Sequence, residues 1–105
     1  MKLNEYQALM TRTLLGEDTQ LMCVLGLTGE AGEVADYIKK VKYHQHDLNL
    51  NKLTEELGDV LWYLAATAWV YGISLENIAE ENIYKLKRRY PNGFEVERSI
   101  NREGE

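Results

Sequence analysis

The chain has little cysteine, little proline and no apolar run long enough to cross a membrane. Cys23 is the one cysteine among 105 residues, so no disulfide can form within the chain, and this fits a reducing cytoplasm. Pro91 is the one proline. Proline breaks helix interiors, so nearly all of the sequence is free of that obstacle. The longest uncharged run, Val60 to Leu75, is shorter than the roughly 20 residues of a membrane span and is interrupted by Gly72 and Ser74. A cationic start followed by an apolar core and a small-residue cleavage site, the mark of a secretory signal, is also missing. A cytoplasmic protein without membrane attachment is expected. The net charge of -5 argues against stable nucleic-acid binding. An acidic protein that takes a polyphosphate needs metal ions or a local cationic patch.

What is present reads as one all-α domain over residues 1–105. Asn4 with Gln7 resembles a capping box opening a first helix to about Leu15, where Gly16 ends it. Asp18 or Thr19 caps a second helix running to about Lys42, followed by the polar connector KYHQHDLNLN. A third helix spans about Asn51 to Tyr71 and stops at Gly72. Ser74 caps a fourth, which Pro91-Asn92-Gly93 breaks. Residues 94–105 have no strong period and are expected to be irregular. The arrangement predicted is a four-helix antiparallel bundle. On the third helix Leu53, Leu57, Val60, Leu61, Leu64 and Ala68 form one apolar stripe, yet Trp62, Tyr63, Trp69 and Val70 leave the other faces uncharged. A helix apolar all round is buried all round, which predicts cover by a second copy in a homodimer or homotetramer. The alternative is the first helix lying across that face.

Two carboxylate pairs stand out. Glu30 and Glu33 are three apart on the second helix, and Glu56 and Asp59 are three apart on the third, so each pair projects to one side of its helix. Antiparallel packing brings all four to the edge of the core, where a divalent cation with oxygen ligands, Mg²⁺ or Mn²⁺, relieves their repulsion. The plain alternative is four solvated helix residues. On the fourth helix Asn82 falls within the apolar stripe with Lys85 and Arg89 beside it, a grouping that suits an anionic ligand, unless the two cations snorkel to solvent. His44 and His46 read as residues of a solvated loop. Gly29 and Gly32 bracket the first pair and Gly58 lies inside the second, which suggests close approach of a neighbouring helix or a phosphate chain. Gly26 has no evident role.

GLTGEAGEVADYIKK, EELGDVLWYLAATA and NIYKLKRRYPNGF together resemble the MazG-like nucleotide pyrophosphohydrolases of the all-α NTP-pyrophosphatase superfamily. The likeness covers roughly Leu21 to Phe94. It implies Mg²⁺-dependent hydrolysis of a nucleoside triphosphate to the monophosphate and pyrophosphate in nucleotide-pool housecleaning. Glu30, Glu33, Glu56 and Asp59 match the family's metal ligands, Lys85 and Arg89 its phosphate cations, and Asn82 a less regular neighbour of these. Glu33 is the expected general base, and Glu56 is expected to be essential. The resemblance also implies a dimeric or tetrameric assembly whose second subunit helps line the nucleotide pocket. The competing expectation is a helical oligomer that binds a nucleotide or a partner without catalysis.

Overall fold

The computed structural model describes residues 1–16 and 19–101. Their regular elements are all helical, with no strand among the described residues: α1 (Leu3–Met10), one 3-10 turn (Thr11–Thr13), α2 (Thr19–Tyr43), α3 (Leu50–Val70), α4 (Leu75–Arg89) and α5 (Val96–Ile100). Asp18, one of the two expected caps of α2, lies outside the described residues. The short helix α5 falls in the segment expected to be irregular.

Helix ends follow local chemistry. Asn49 caps α3, its side chain accepting from the backbone N–H groups of Asn51 and Lys52 at 3.0 and 3.2 Å. The other end of α3 closes on Gly72, whose φ of +72° is a left-handed conformation that glycine adopts without penalty. There the Ile73 N–H bonds to the Ala68 carbonyl at 2.8 Å and the Gly72 N–H to that of Trp69 at 3.0 Å. Ser74 caps α4 by accepting from the Asn77 N–H at 2.9 Å.

Asn4 and Gln7 correct the expected capping box. Neither closes its own helix; both reach across to the start of α4. The Gln7 side chain accepts from the Leu75 N–H at 2.9 Å and donates to the carbonyls of Ile73 and Ala65, at 2.9 and 3.3 Å. Asn4 accepts from the Glu76 N–H at 3.0 Å and donates to the Glu76 carboxylate at 3.1 Å. The four N–H groups at a helix start have no partner within the helix, and here α1 supplies part of what they need. Gln7 is 4% exposed and bonded through both ends of its amide.

The core sits where α1, the first half of α2 and the second half of α3 meet, around Met10, Cys23, Ala65, Ala66 and Leu75. Trp62 packs against it and donates its indole N–H to the Thr13 hydroxyl at 2.8 Å. Leu61 and Leu64 pack on the core as their stripe predicts, whereas Leu57 is 51% exposed. α4 is held through its first turns, by Leu75 and Ile78, and its later apolar residues Ile83 and Leu86 face outward. For that reason Asn82, expected on a buried face, is exposed. The radius of gyration is 16.9 Å, against about 13 Å for a compact chain of this length. The accessible surface is 8079 Å², roughly 2,000 Å² above what the usual scaling gives for a folded monomer of this mass.

Candidate functional site

α2 and α3 lie antiparallel in a register fixed by a few contacts. Gly26 of α2 faces Tyr63 of α3 so closely that a Cβ at position 26 would overlap the tyrosine ring. Further along, Tyr37 of α2 lies beneath the Lys52 ammonium of α3, 5.5 Å from ring centre to nitrogen. Between these two crossings the acidic pairs meet. Carboxylate oxygens of Glu30, Glu56 and Asp59 lie within 4.8 Å of one another. Glu30 and Glu56 are half-buried and Asp59 is exposed. Glu33 stands outside this triangle, exposed, and shares a cleft with Glu56.

The cluster is electrostatically loaded. Glu30 has its pKa raised above the ordinary glutamate value, first by loss of water and then by the charges of Asp59, Glu33 and Glu56. Tyr6 of α1 reaches the same region: burial raises its pKa, and the Asp59 charge adds to the effect. One turn beyond Glu33, Asp36 has its pKa lowered by hydrogen bonds from Lys40 and Lys39.

Three converging carboxylates fit a hard divalent cation. Glu30, Glu56 and Asp59 would hold such a cation after their carboxylates draw closer together than the 4.8 Å that now spans them. The donor set is all oxygen, which favours Mg²⁺ or Mn²⁺ over metals that prefer nitrogen or sulfur.

Two pockets flank the cluster. Glu30 and Asp59 border one with Thr13, Trp62 and Tyr63, about 330 Å³ in volume. Glu33 and Glu56 border the other, which is polar and about 640 Å³. The expected phosphate residues are elsewhere in the chain: Asn82 and Lys85 line a groove along α4 with Ile78, Glu81 and Arg88, and none of the four acids borders it. Arg89 is half-buried at the end of α4, where its carbonyl accepts from Arg98 of α5.

Tyr37 and Lys52 are not singled out by the sequence, although spacing carries a signal, and Lys40 reads there as one of three cations suited to the end of the second helix. Glu30, Glu33, Tyr37 and Lys40 fall on one face of α2, and Lys52, Glu56, Asp59 and Tyr63 on one face of α3, each at intervals of three or four. His46, read as a loop residue, is exposed yet lines the polar cleft. Gly26, with no role in the sequence reading, is the glycine that α2–α3 contact requires. Gly29, Gly32 and Gly58 have nothing within 4 Å of where a Cβ would stand, so no helix of this chain approaches them.

An all-helical chain with acidic pairs facing across two antiparallel helices belongs to the MazG nucleotide pyrophosphohydrolase domain family, whose model matches residues 18–94. Gene 37 protein of Mycobacterium phage L5 is 37% identical over 73 residues, which are 66% of this chain and 64% of that protein. The match thus spans a little under two thirds of that relative's length. No solved structure matches the chain, and no described helix is long and apolar enough to cross a membrane.

Proposed function

We propose that this protein is a Mg²⁺-dependent nucleoside triphosphate pyrophosphohydrolase, releasing a monophosphate and pyrophosphate after water attacks the α-phosphorus. The observation that carries this reading is the meeting of Glu30, Glu56 and Asp59 within 4.8 Å, with Glu33 beside them, in a chain of this family. Bound Mg²⁺, or Mn²⁺ in its place, would supply Lewis acidity, a more acidic water and a template for the phosphates. Glu30, Glu56 and Asp59 would hold the cation from both helices. In this reading Glu33, exposed beside the triangle, takes the proton from the attacking water.

A second copy of the chain completes the bundle. The surplus of roughly 2,000 Å² over the monomer scaling is of the size that stable interfaces bury, and Leu21, Val24 and Leu25 on the first half of α2 are exposed. In such a dimer or tetramer the α4 of a neighbour brings Asn82, Lys85 and Arg89 to the phosphates.

The reading is tested by incubating the chain with each ribo- and deoxyribonucleoside triphosphate plus Mg²⁺ and identifying the products. Pyrophosphate and a monophosphate are expected; orthophosphate and a diphosphate would refute attack at the α-phosphorus. Glu56→Gln should abolish turnover with helical circular dichroism and oligomeric state unchanged. A monomer in analytical ultracentrifugation would refute the completed bundle.

A further inference from the structure

α4 has two sides with different chemistry. Asn82 and Lys85 border the polar groove described above. Around the helix from them, Ala79, Ile83 and Tyr84 line a second groove of about 470 Å³, to which α1 contributes Leu3. This side is apolar and uncovered: Ile83 is 51% exposed and Tyr84 64%. Glu76 and Glu80 border it toward the start of the helix and Lys87 toward its end. Glu80 and Lys87 are exposed, and neither joins an ion pair among the described residues. Seven positions separate them, about 10 Å along the helix, too far for the two to meet.

The order of these residues makes the face complementary to a copy of itself. A two-fold contact uses the same patch on both molecules, so the patch must satisfy its own charges. With two α4 helices antiparallel and the axis between Ile83 and Tyr84, Ile83 of each copy meets Tyr84 of the other. Glu80 of each then meets Lys87 of the other, two pairs in all. Ala79 is the small residue of the row and lets the helices approach. A parallel pair would set Glu76, Glu80 and Lys87 each against its own like charge. Stable interfaces use about 20–30 residues a side, and seven residues line this groove. The face is therefore too small to hold two single chains together, but a tetramer of dihedral symmetry would use it twice.

We propose that this side of α4 is a second, weaker self-association surface, on which antiparallel α4–α4 pairing joins two dimers into a tetramer. The inference rests on the second-copy reading above, in which the exposed first half of α2 makes the primary contact. The new contact uses the side of α4 away from Asn82 and Lys85, so it does not compete with the phosphate role given to them. Its strength depends on exposed ion pairs and a few apolar side chains, which makes the tetramer sensitive to concentration and to salt.

Sedimentation velocity over a range of protein concentrations tests the pairing. The wild-type chain should pass from dimer to tetramer as concentration rises, and added salt should return it to the dimer. Ile83→Glu should remain dimeric at every concentration with its helical circular dichroism unchanged. Glu80→Lys and Lys87→Glu, each alone, bring like charges together and should also remain dimeric. The double variant carrying both exchanges restores opposite charges and should recover the tetramer. A wild-type dimer that never associates further would overturn the proposal and leave the groove to another occupant, such as an amphipathic peptide. A tetramer that survives Ile83→Glu would overturn it as well, and so would a double variant that stays dimeric. A wild-type monomer would sink the second-copy reading and this proposal with it, a result distinct from a dimer that fails to pair.

Discussion

The glycines of α2 and α3 make opposite predictions from one substitution. Gly29 and Gly58 are in helix interiors with nothing within 4 Å of an added Cβ. Alanine there should gain the full helix-propensity difference of about 1 kcal/mol, which raises the melting temperature of a chain this size by about 4–8 °C. Gly26→Ala gains the same propensity but drives a methyl group into the Tyr63 ring. Tyr63 is half-buried and stacked edge-on against Trp62 at 4.9 Å between centroids, so it cannot yield freely. Overpacking of this kind costs typically about 1–3 kcal/mol, leaving a net change between about zero and a 2 kcal/mol loss. Urea titration of the three single variants, followed by circular dichroism, gives the comparison directly. A Gly26→Ala protein stabilised as much as Gly29→Ala would refute the close α2–α3 approach. A loss at Gly29 or Gly58 would refute the open space around them and point to cover by a second subunit. Gly32→Leu adds the functional arm: activity should fall further than stability if a phosphate chain passes that backbone, and equal losses would assign Gly32 to packing.

The raised pKa of Glu30 sets a pH dependence. Its native carboxyl keeps a proton that the unfolded chain gives up near pH 4.3, so the native state binds more protons and metal-free stability falls as pH rises from about 4 through the raised value. Glu30→Gln should flatten that fall in thermal melts; an unchanged slope would remove Glu30 as its source. Protons and Mg²⁺ compete for the same carboxylate, so Mg²⁺-induced heat stabilisation should grow as pH rises through the raised pKa of Glu30, and a constant increment would contradict ligation by Glu30. Gln7→Ala strips partners from the Leu75 N–H and from the Ile73 and Ala65 carbonyls. The Leu75 and Ala65 bonds are buried; at roughly 1–3 kcal/mol for each buried group left unpaired, the loss should total about 2–6 kcal/mol in urea titration, and one under about 1 kcal/mol would show that water replaces the amide.

Helix existence and order were legible because each helix carries its own ending: Gly72 after α3, Ser74 before α4, Pro91 after α4. Those signals are local and depend on a few neighbouring residues. The acidic pairs were legible for the same reason, since i, i+3 spacing fixes a face whatever surrounds it. What spacing alone did not reveal is which face meets what. Asn4 and Gln7 have the pattern of a cap on their own helix, but their partners are about seventy positions away at α4, and no local pattern encodes that. Asn82 was assigned to a buried face from the apolar period of α4, and that period describes a surface left open within the chain. Spacing does not single out Lys52, because a cation beside a carboxylate at i, i+4 is common on solvated helices. Only the antiparallel register puts it at the mouth of the cleft.

That register separates two distances that are easily confused. Along the chain, the acidic pairs are joined by a connector of variable potential length; in space, Gly26 against Tyr63 and Tyr37 beneath Lys52 fix their separation. Lengthening a flexible loop costs little, about 0.6 kcal/mol per doubling, and the connector turns at Gln45, a residue already in the left-handed region at φ +59°. The two acidic helices are therefore exchangeable cassettes whose joint can grow, be tagged or host an inserted sequence between His44 and Gln45. The limit comes at Asn49, which both caps α3 and anchors Tyr37. Closer in, the Asp47 carbonyl also accepts from the Tyr37 hydroxyl and His46 and Asp47 line the polar cleft, so the freedom to rewrite the loop is at the His44–Gln45 turn.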